Sequence, residues 1–551
     1  MTTENIWVGL LLFGAVGMIG CEKKTEQTLP ESHSRFVENP VTAPSEHLFP
    51  PEKDTEEAPE GQTLQQAQDD SPAAESVVES AKIRFGLIRR PGSPIILAER
   101  ERTRTGFQPG DDFSRDAAIQ MGELLRKEWP ELQPLDERAL RSQNIRVFKG
   151  KYLTLCTDLP PSPEINRLPE IFDLAVVEYC RFFGVDPKHC DNWHMRGCLM
   201  DDLEKFRAAS LLGPFPEDLI GYSVDDRLWV LEQRSDYFRR HLILHEGVHG
   251  FANYVFGVCG PDWYMESTAE YLATHRWKNG QLELGVMPEN PAALPGWRRI
   301  EMVKGDIKAN NLKTVDRILR SPVRQAEPPV DYAWVWTFGY LLDHSPQYRD
   351  VWRDMARWLT FRDFSNRFYL RLADHWGELQ VDWLCLLDEL DYDCDVPRMA
   401  LDPQPGKPFF ASPAEFEIDV SHGWWNTGVI LEAGQTYHIT ATGRYQLRDN
   451  SRSLRDPVPK AWYAEPNGVT FRYHKGQPAG LLLGAVVPDS LFDMEEEILP
   501  DDVPFLSPIL IGTKCELTPE QSGTLYLRIN DSPAELEDNQ GSCRVIIEAT
   551  N

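Results

Sequence analysis

From about 81 to 400 strand-like apolar runs alternate with, and then give way to, apolar residues at helical spacing, and through the last quarter the apolar residues fall at alternate positions. Residues 117–128 have helical periodicity, and 145–157 read as a strand pair around Lys149-Gly150-Lys151. An amphipathic helix is predicted over 168–183, a strand over 192–200 and a hairpin over 221–231. A largely apolar helix then runs from Phe238 through Leu244 and on past Phe251, Ala252, Tyr254 and Val255. A second helical pattern covers 263–273, and four more cover 312–319, 333–342, 348–359 and 379–390. Three prolines and a glycine within 402–408 mark a linker. Beyond it the period is two, over 416–420, 437–441, 468–473, 525–529 and 544–548, with Gly and Asn turns between. The pattern predicts an α+β domain over 81–400, a linker over 401–412 and an all-β sandwich over 413–551.

The N-terminal pattern is different again. Residues 6–19 are a 14-residue apolar run, too short for a comfortable membrane span and suited to a signal segment. The run ends in Met18-Ile19-Gly20-Cys21, which resembles a bacterial lipobox, so Cys21 is the expected lipidation site and 1–21 the signal peptide. The absence of Lys and Arg from residues 1–5 departs from that pattern. Residues 22–80 are rich in Glu, Pro, Ser, Thr and Gln, the composition of a disordered tether. These features imply a lipid-anchored, extracytoplasmic protein of the bacterial cell envelope, in the periplasm or at the cell surface.

Composition narrows the partners. A length of 551 residues calls for two or three domains, and a net charge of −29 argues against nucleic acid, whose phosphates need clustered Lys and Arg. Setting Cys21 apart from the ten cysteines leaves nine, an odd number, so an exported form carries a free thiol or an intermolecular bond. Cys180, Cys190 and Cys198 cluster in sequence, as do Cys385 and Cys394, and Cys515 and Cys543 fall on strands predicted to be neighbours. The pairing stays open.

The candidate chemistry lies in His245-Glu246-Gly247-Val248-His249. Two histidines four apart share one helix face, so both imidazoles reach one Zn²⁺, with Glu246 placed as general base. Glu266, 17 residues after His249, supplies the third ligand, and Glu270, one turn on, is placed to orient a ligand histidine. His241 extends the stripe, but residues eight apart on a helix are separated by about 12 Å, which makes it a packed or supporting histidine.

These residues resemble the gluzincin metallopeptidases, most of all bacterial relatives in which HExxH is followed by a Pro-x-Trp-[LYF]-x-Glu-Gly-x-Ala-Glu-Tyr helix. Ser267 stands where that pattern has Gly, and the Gly-x-Met-Glu-Asn motif of the aminopeptidases is missing. The resemblance implies a zincin-like fold, an endopeptidase acting on a peptide or protein, and zinc on His245, His249 and Glu266. It also implies a tyrosine that stabilises the oxyanion, matched by Tyr332, 66 residues after Glu266, and an edge strand at 221–231 that holds an extended peptide.

The last domain carries an acidic loop, 530–542, which on composition alone suits either a solvated turn or Ca²⁺. Residues 415–550 resemble the PA-IL type of galactose-binding lectin through Trp425, Thr427 and Gly428, the run 480–485, Ile511-Gly512 and 525–531. That resemblance implies a galactose-binding-like, jelly-roll sandwich, and calcium on Asp531, Glu535, Asp538 and Asn539. The element that meets the sugar in that family is matched by 464–468, which lacks its His and Gln, so the glycan it would take stays open. The competing reading is a non-catalytic surface adhesin with a degenerate peptidase domain; the intact HExxH and Glu266 favour the enzyme.

Overall fold

The computed structural model describes residues 113–550, apart from 128, 214, 216–218, 324–328, 410–412 and 450–460. All of these lie within one compact unit. The expected signal segment with Cys21 and the expected tether lie outside the described residues.

The first region is a five-stranded mixed sheet with helices around it. Its strands are β1 (Arg146–Lys149), β2 (Leu153–Thr157), β3 (Met195–Met200), β4 (Gly221–Val224) and β5 (Arg227–Leu231), in the order β1-β2-β3-β5-β4. β2, β3 and β5 run parallel, while β1 and β4 are antiparallel to their neighbours. Among the described residues β4 pairs only with β5 and so forms an edge. Asp225, at φ 54°, makes the tight reversal between them, a conformation that Asp tolerates better than most residues. Helix α1 (Arg115–Arg126) precedes the sheet, and α2 (Leu168–Phe183) packs beside β2.

Two long helices follow: α3 (Asp236–Phe256) and α4 (Asp262–Ala273). Ser235 caps α3 by accepting from the Phe238 amide, and Gly257 ends it in the left-handed region at φ 79°. The polar hairpin β6 (His275–Lys278) and β7 (Gln281–Leu284) comes next, then α5 (Arg299–Lys308), α6 (Val330–His344) and α7 (Trp376–Glu389). The hairpin and α5 were not predicted, although Leu282 and Leu284 alternate and Ile300, Val303 and Ile307 recur at helical spacing. Residues 348–359 do not form one helix: an α-helix over Arg349–Asp354 tightens into a 3₁₀ turn over Met355–Trp358.

The C-terminal region is β-rich. One sheet joins strands Ile509–Leu510, Leu482–Val487, Gly523–Ile529, Trp425–Leu431 and Lys407–Pro408; the other joins Lys514–Leu517, Tyr437–Thr442, Ser542–Ala549 and Ala414–Asp419. Leu482, Val486, Leu525, Leu527 and Ile529 point between the sheets. The alternate residues, Leu483, Ala485, Val487 and Tyr526, share a second core with Val381 and Leu384 of α7 and with Trp424 and Phe505. The first sheet is therefore buried on both faces. Gln380 of α7 fastens this joint, donating to the Glu496 carbonyl (2.9 Å) and accepting from the Ile498 amide (3.0 Å).

Two sequence expectations are corrected here. Of 468–473 only Tyr473 lies in a strand, the two-residue Tyr473–His474; Gly468 turns the chain at φ 73°, and Phe471 stays two-thirds exposed, edge-on to Trp462. Cys515 and Cys543 are not on neighbouring strands, because Tyr437–Thr442 runs between theirs and pairs with both.

Candidate functional site

The site forms where α3 and α4 cross. Gly247 makes the approach of α2 possible: a Cβ there would lie 2.5 Å from the Phe172 ring. With that face of α3 pressed on α2, His245 and His249 turn to α4 and Glu246 turns to β4. A Cβ on Gly221 would lie 3.2 Å from Glu246 Oε1, and the Ser223 hydroxyl hydrogen-bonds the same carboxyl. Burial raises the Glu246 carboxyl above its ordinary range, and the two histidines only partly oppose this.

Three donor atoms converge. His245 Nε2 lies 3.1 Å from Glu266 Oε2, His249 Nε2 lies 3.4 Å from it, and the two Nε2 atoms are 3.2 Å apart. Glu266 Oε2 is buried and makes no hydrogen bond. With both Nε2 atoms deprotonated, as metal ligation requires, their lone pairs and the buried carboxylate oxygen face one point that a cation would satisfy. A tetrahedral Zn²⁺, with its ligands at about 2.0–2.1 Å, separates its donor atoms by about 3.3 Å. The residues present therefore fit a zinc ion. In the metal-free protein burial disfavours a charged His245, but Glu266 and Glu270 outweigh it and raise the imidazole to about 9. Burial also opposes the Glu266 carboxylate, and His249 and His245 hold it down at about 2.

The surroundings fix His245. Its Nδ1 faces Glu270 Oε1 at 3.3 Å, so one ring nitrogen is left for the convergence point and the other is oriented. Glu270 accepts two hydrogen bonds from Arg299, at 2.9 and 3.0 Å, and meets His241 Nε2 at 3.4 Å. His241 Nδ1 in turn meets the Ala273 carbonyl at 3.0 Å. Burial alone would raise the Glu270 carboxyl; Arg299 and His241 hold it well below its usual range. Tyr332, half-buried near the start of α6, places its ring 6.1 Å from that of His245. Ser267 donates to the Val335 carbonyl (2.6 Å), and Gly339 opposite leaves room for its hydroxyl.

All the residues singled out around HExxH thus come together: His245, Glu246, His249, Glu266, Glu270 and Tyr332. Sequence reasoning missed Arg299, which is only 3% exposed and lies 29 residues from Glu270. Its one signal is an arginine beside the buried Trp297 and Ile300, where an apolar residue is expected. Cys259 was also missed; its thiol donates to the His249 carbonyl.

The acidic loop is only partly assembled. Asp531 and Asn539 are buried side by side, and Asp531 Oδ2 and Asn539 Oδ1 have no hydrogen-bond partner. Burial raises the Asp531 carboxyl. Glu535 is turned to Arg472, with Arg448 at 3.9 Å, and the Asp538 carbonyl accepts from Gln446 at 3.3 Å. Asp531 and Asn539 remain oxygen donors for a hard cation, while Glu535 is held by arginine.

No protein-family profile matches the chain, and no curated protein matches it. Among solved structures, the chain is similar to one described as "EclA N-terminal domain; PllA-like lectin". The identity is 19%, the match covers 25% of this chain and 95% of that one, and the TM-score is 0.17.

Proposed function

We propose that this protein is a zinc-dependent endopeptidase of gluzincin type, anchored through Cys21 at the bacterial cell envelope. The observation that carries the reading is the convergence of His245 Nε2, His249 Nε2 and Glu266 Oε2 within 3.4 Å of one another, beside a buried Glu246.

His245, His249 and Glu266 would hold the metal. Zinc, when bound, supplies Lewis acidity toward a water and a peptide carbonyl. Glu246 takes the proton of the attacking water and passes it to the leaving amine. Its raised carboxyl pKa suits both tasks, since a weaker acid is a better acceptor and still a competent donor. Tyr332, whose ring lies 6.1 Å from that of His245, hydrogen-bonds the developing oxyanion. Strand β4, next to Glu246, has no further strand on its outer edge among the described residues, and an extended peptide can add there. Glu270, Arg299 and His241 touch no reacting atom; they hold His245 in one orientation.

A second reading rests on Asp531 Oδ2 and Asn539 Oδ1, which suit Ca²⁺ and through it a glycan hydroxyl. It adds a lectin-like module to the enzyme, or replaces the enzyme if the first site is inert.

Elemental analysis of the protein beside its His245→Ala variant tests the site, followed by hydrolysis of a mixed peptide library with and without Glu246→Gln. One zinc per chain, lost in the histidine variant, and cleavage lost in a Glu246→Gln protein that keeps its zinc support the enzyme. Absence of zinc after incubation with the metal, or undiminished cleavage by Glu246→Gln, refutes it. Calcium in the same elemental analysis reports on the Asp531 loop.

A further inference from the structure

Two buried thiols meet away from the site. Cys180 lies in the last turn of α2, and Cys190 ends the 3₁₀ turn Pro187–Cys190. Their sulfurs are 3.8 Å apart, and the residues are 2% and 0% exposed. The backbone between them holds them there. Gly184 ends α2 in the left-handed region at φ 62°, and the Val185 amide donates back to the Cys180 carbonyl at 2.9 Å. Asp186 caps the following turn by accepting from the Lys188 amide at 3.0 Å, and the Trp193 amide donates to the Cys190 carbonyl at 3.0 Å. A disulfide needs its sulfurs about 2.05 Å apart. Closing the gap takes a movement of roughly 0.9 Å at each sulfur, within reach of modest χ1 rotations.

We propose that Cys180 and Cys190 form an intramolecular disulfide that ties the end of α2 to the turn leading into β3. The thiolate of one cysteine attacks a low-molecular-weight disulfide, oxidised glutathione in the test below, and releases one glutathione thiolate. The second cysteine attacks the resulting mixed disulfide and releases the other. The protein loses two protons and two electrons, and one disulfide is reduced to two thiols.

The two segments so joined both grip α3. Tyr179, next to Cys180, donates to the Leu244 carbonyl of α3 at 2.8 Å. Trp193, three residues after Cys190, stacks on Tyr254 and meets Phe251 edge-on, each at 5.7 Å. The cross-link therefore braces the helix that carries His245 and His249, on the face opposite them, whatever chemistry those residues perform.

The test refolds the reduced full-length protein with oxidised glutathione, unfolds it in denaturant with iodoacetamide, and maps the tryptic peptides. The expected product joins peptide 168–181 to peptide 189–196 and falls apart on reduction into two alkylatable halves. Both peptides alkylated without reduction would overturn the assignment. So would either cysteine found linked to glutathione or to a third cysteine. Unfolding temperature adds an independent readout. The oxidised protein melts above the reduced one, and this gap shrinks in Cys180→Ser/Cys190→Ser; an undiminished gap in that double variant also overturns the proposal.

Discussion

Replacing Arg299 by Met isolates the ionic support beneath the candidate site. Arg299 is 3% exposed and Glu270 2% exposed, and two hydrogen bonds of 2.9 and 3.0 Å join them. Met fills much the same volume but leaves the Glu270 carboxylate buried with only imidazole neighbours. Removing one partner of a buried, hydrogen-bonded ion pair costs about 3–5 kcal/mol. Unfolding entropy near 60 °C is about 2.1 cal/mol/K per residue, so a cooperative unit of roughly 400 residues has about 0.8–0.9 kcal/mol/K. The expected fall in Tm is then about 4–6 °C. Glu270→Gln alone strands the guanidinium in the same way. The double variant Arg299→Met/Glu270→Gln buries no unpaired charge and recovers part of the loss, so the two changes are strongly non-additive. Urea unfolding of the four proteins in chelator, followed by near-ultraviolet circular dichroism, measures the cycle. A loss below about 1 kcal/mol for Arg299→Met, or strict additivity in the double variant, would show that the pair contributes far less than a buried ion pair should.

Other contacts give further expectations. A Cβ on Gly339 would lie 2.4 Å from Ser267 Oγ, so Gly339→Ala should destabilise by about 1–3 kcal/mol, and Ser267→Gly should restore part of it; no rescue in chemical denaturation would show the strain lies elsewhere. Burial disfavours the Glu389 carboxylate, but His474, Arg528 and Lys475 hold it at about 2, below its ordinary 4.5. A depressed carboxyl stabilises the fold above pH 4.5, and that contribution fades as pH falls toward 2. The Tm advantage of the parent over Glu389→Gln should therefore shrink across that window, and a pH-independent gap would refute the assignment. Asp382 behaves oppositely: burial raises it to about 7 from 3.8, so its contribution is lost as pH rises through that range, and Asp382→Asn should melt higher than the parent at pH 8 but not at pH 4. Tyr332→Phe should leave zinc content unchanged while lowering kcat on a peptide substrate by roughly ten- to a thousand-fold; equal loss of zinc would make Tyr332 a structural residue.

The HExxH spacing and the Glu266–Glu270 pair were legible because they are local. Residues four apart on one helix share a face whatever the helix packs against, and that geometry alone aligns His245 with His249 and Glu266 with Glu270. The runs that became α2, α3, α4 and the hairpin β4–β5 were legible for the same reason. Tertiary structure decided what each face meets. Periodicity reports that a position is buried, not which neighbour buries it. It could not foresee that Arg299 reaches Glu270, that Glu535 turns to Arg472, or that Tyr437–Thr442 separates Cys515 from Cys543. Nor could it show why Leu482–Val487 is apolar at every position. One set of its side chains fills the space between two sheets, and the other packs against α7, so both faces of the strand are kept from water by elements distant in sequence.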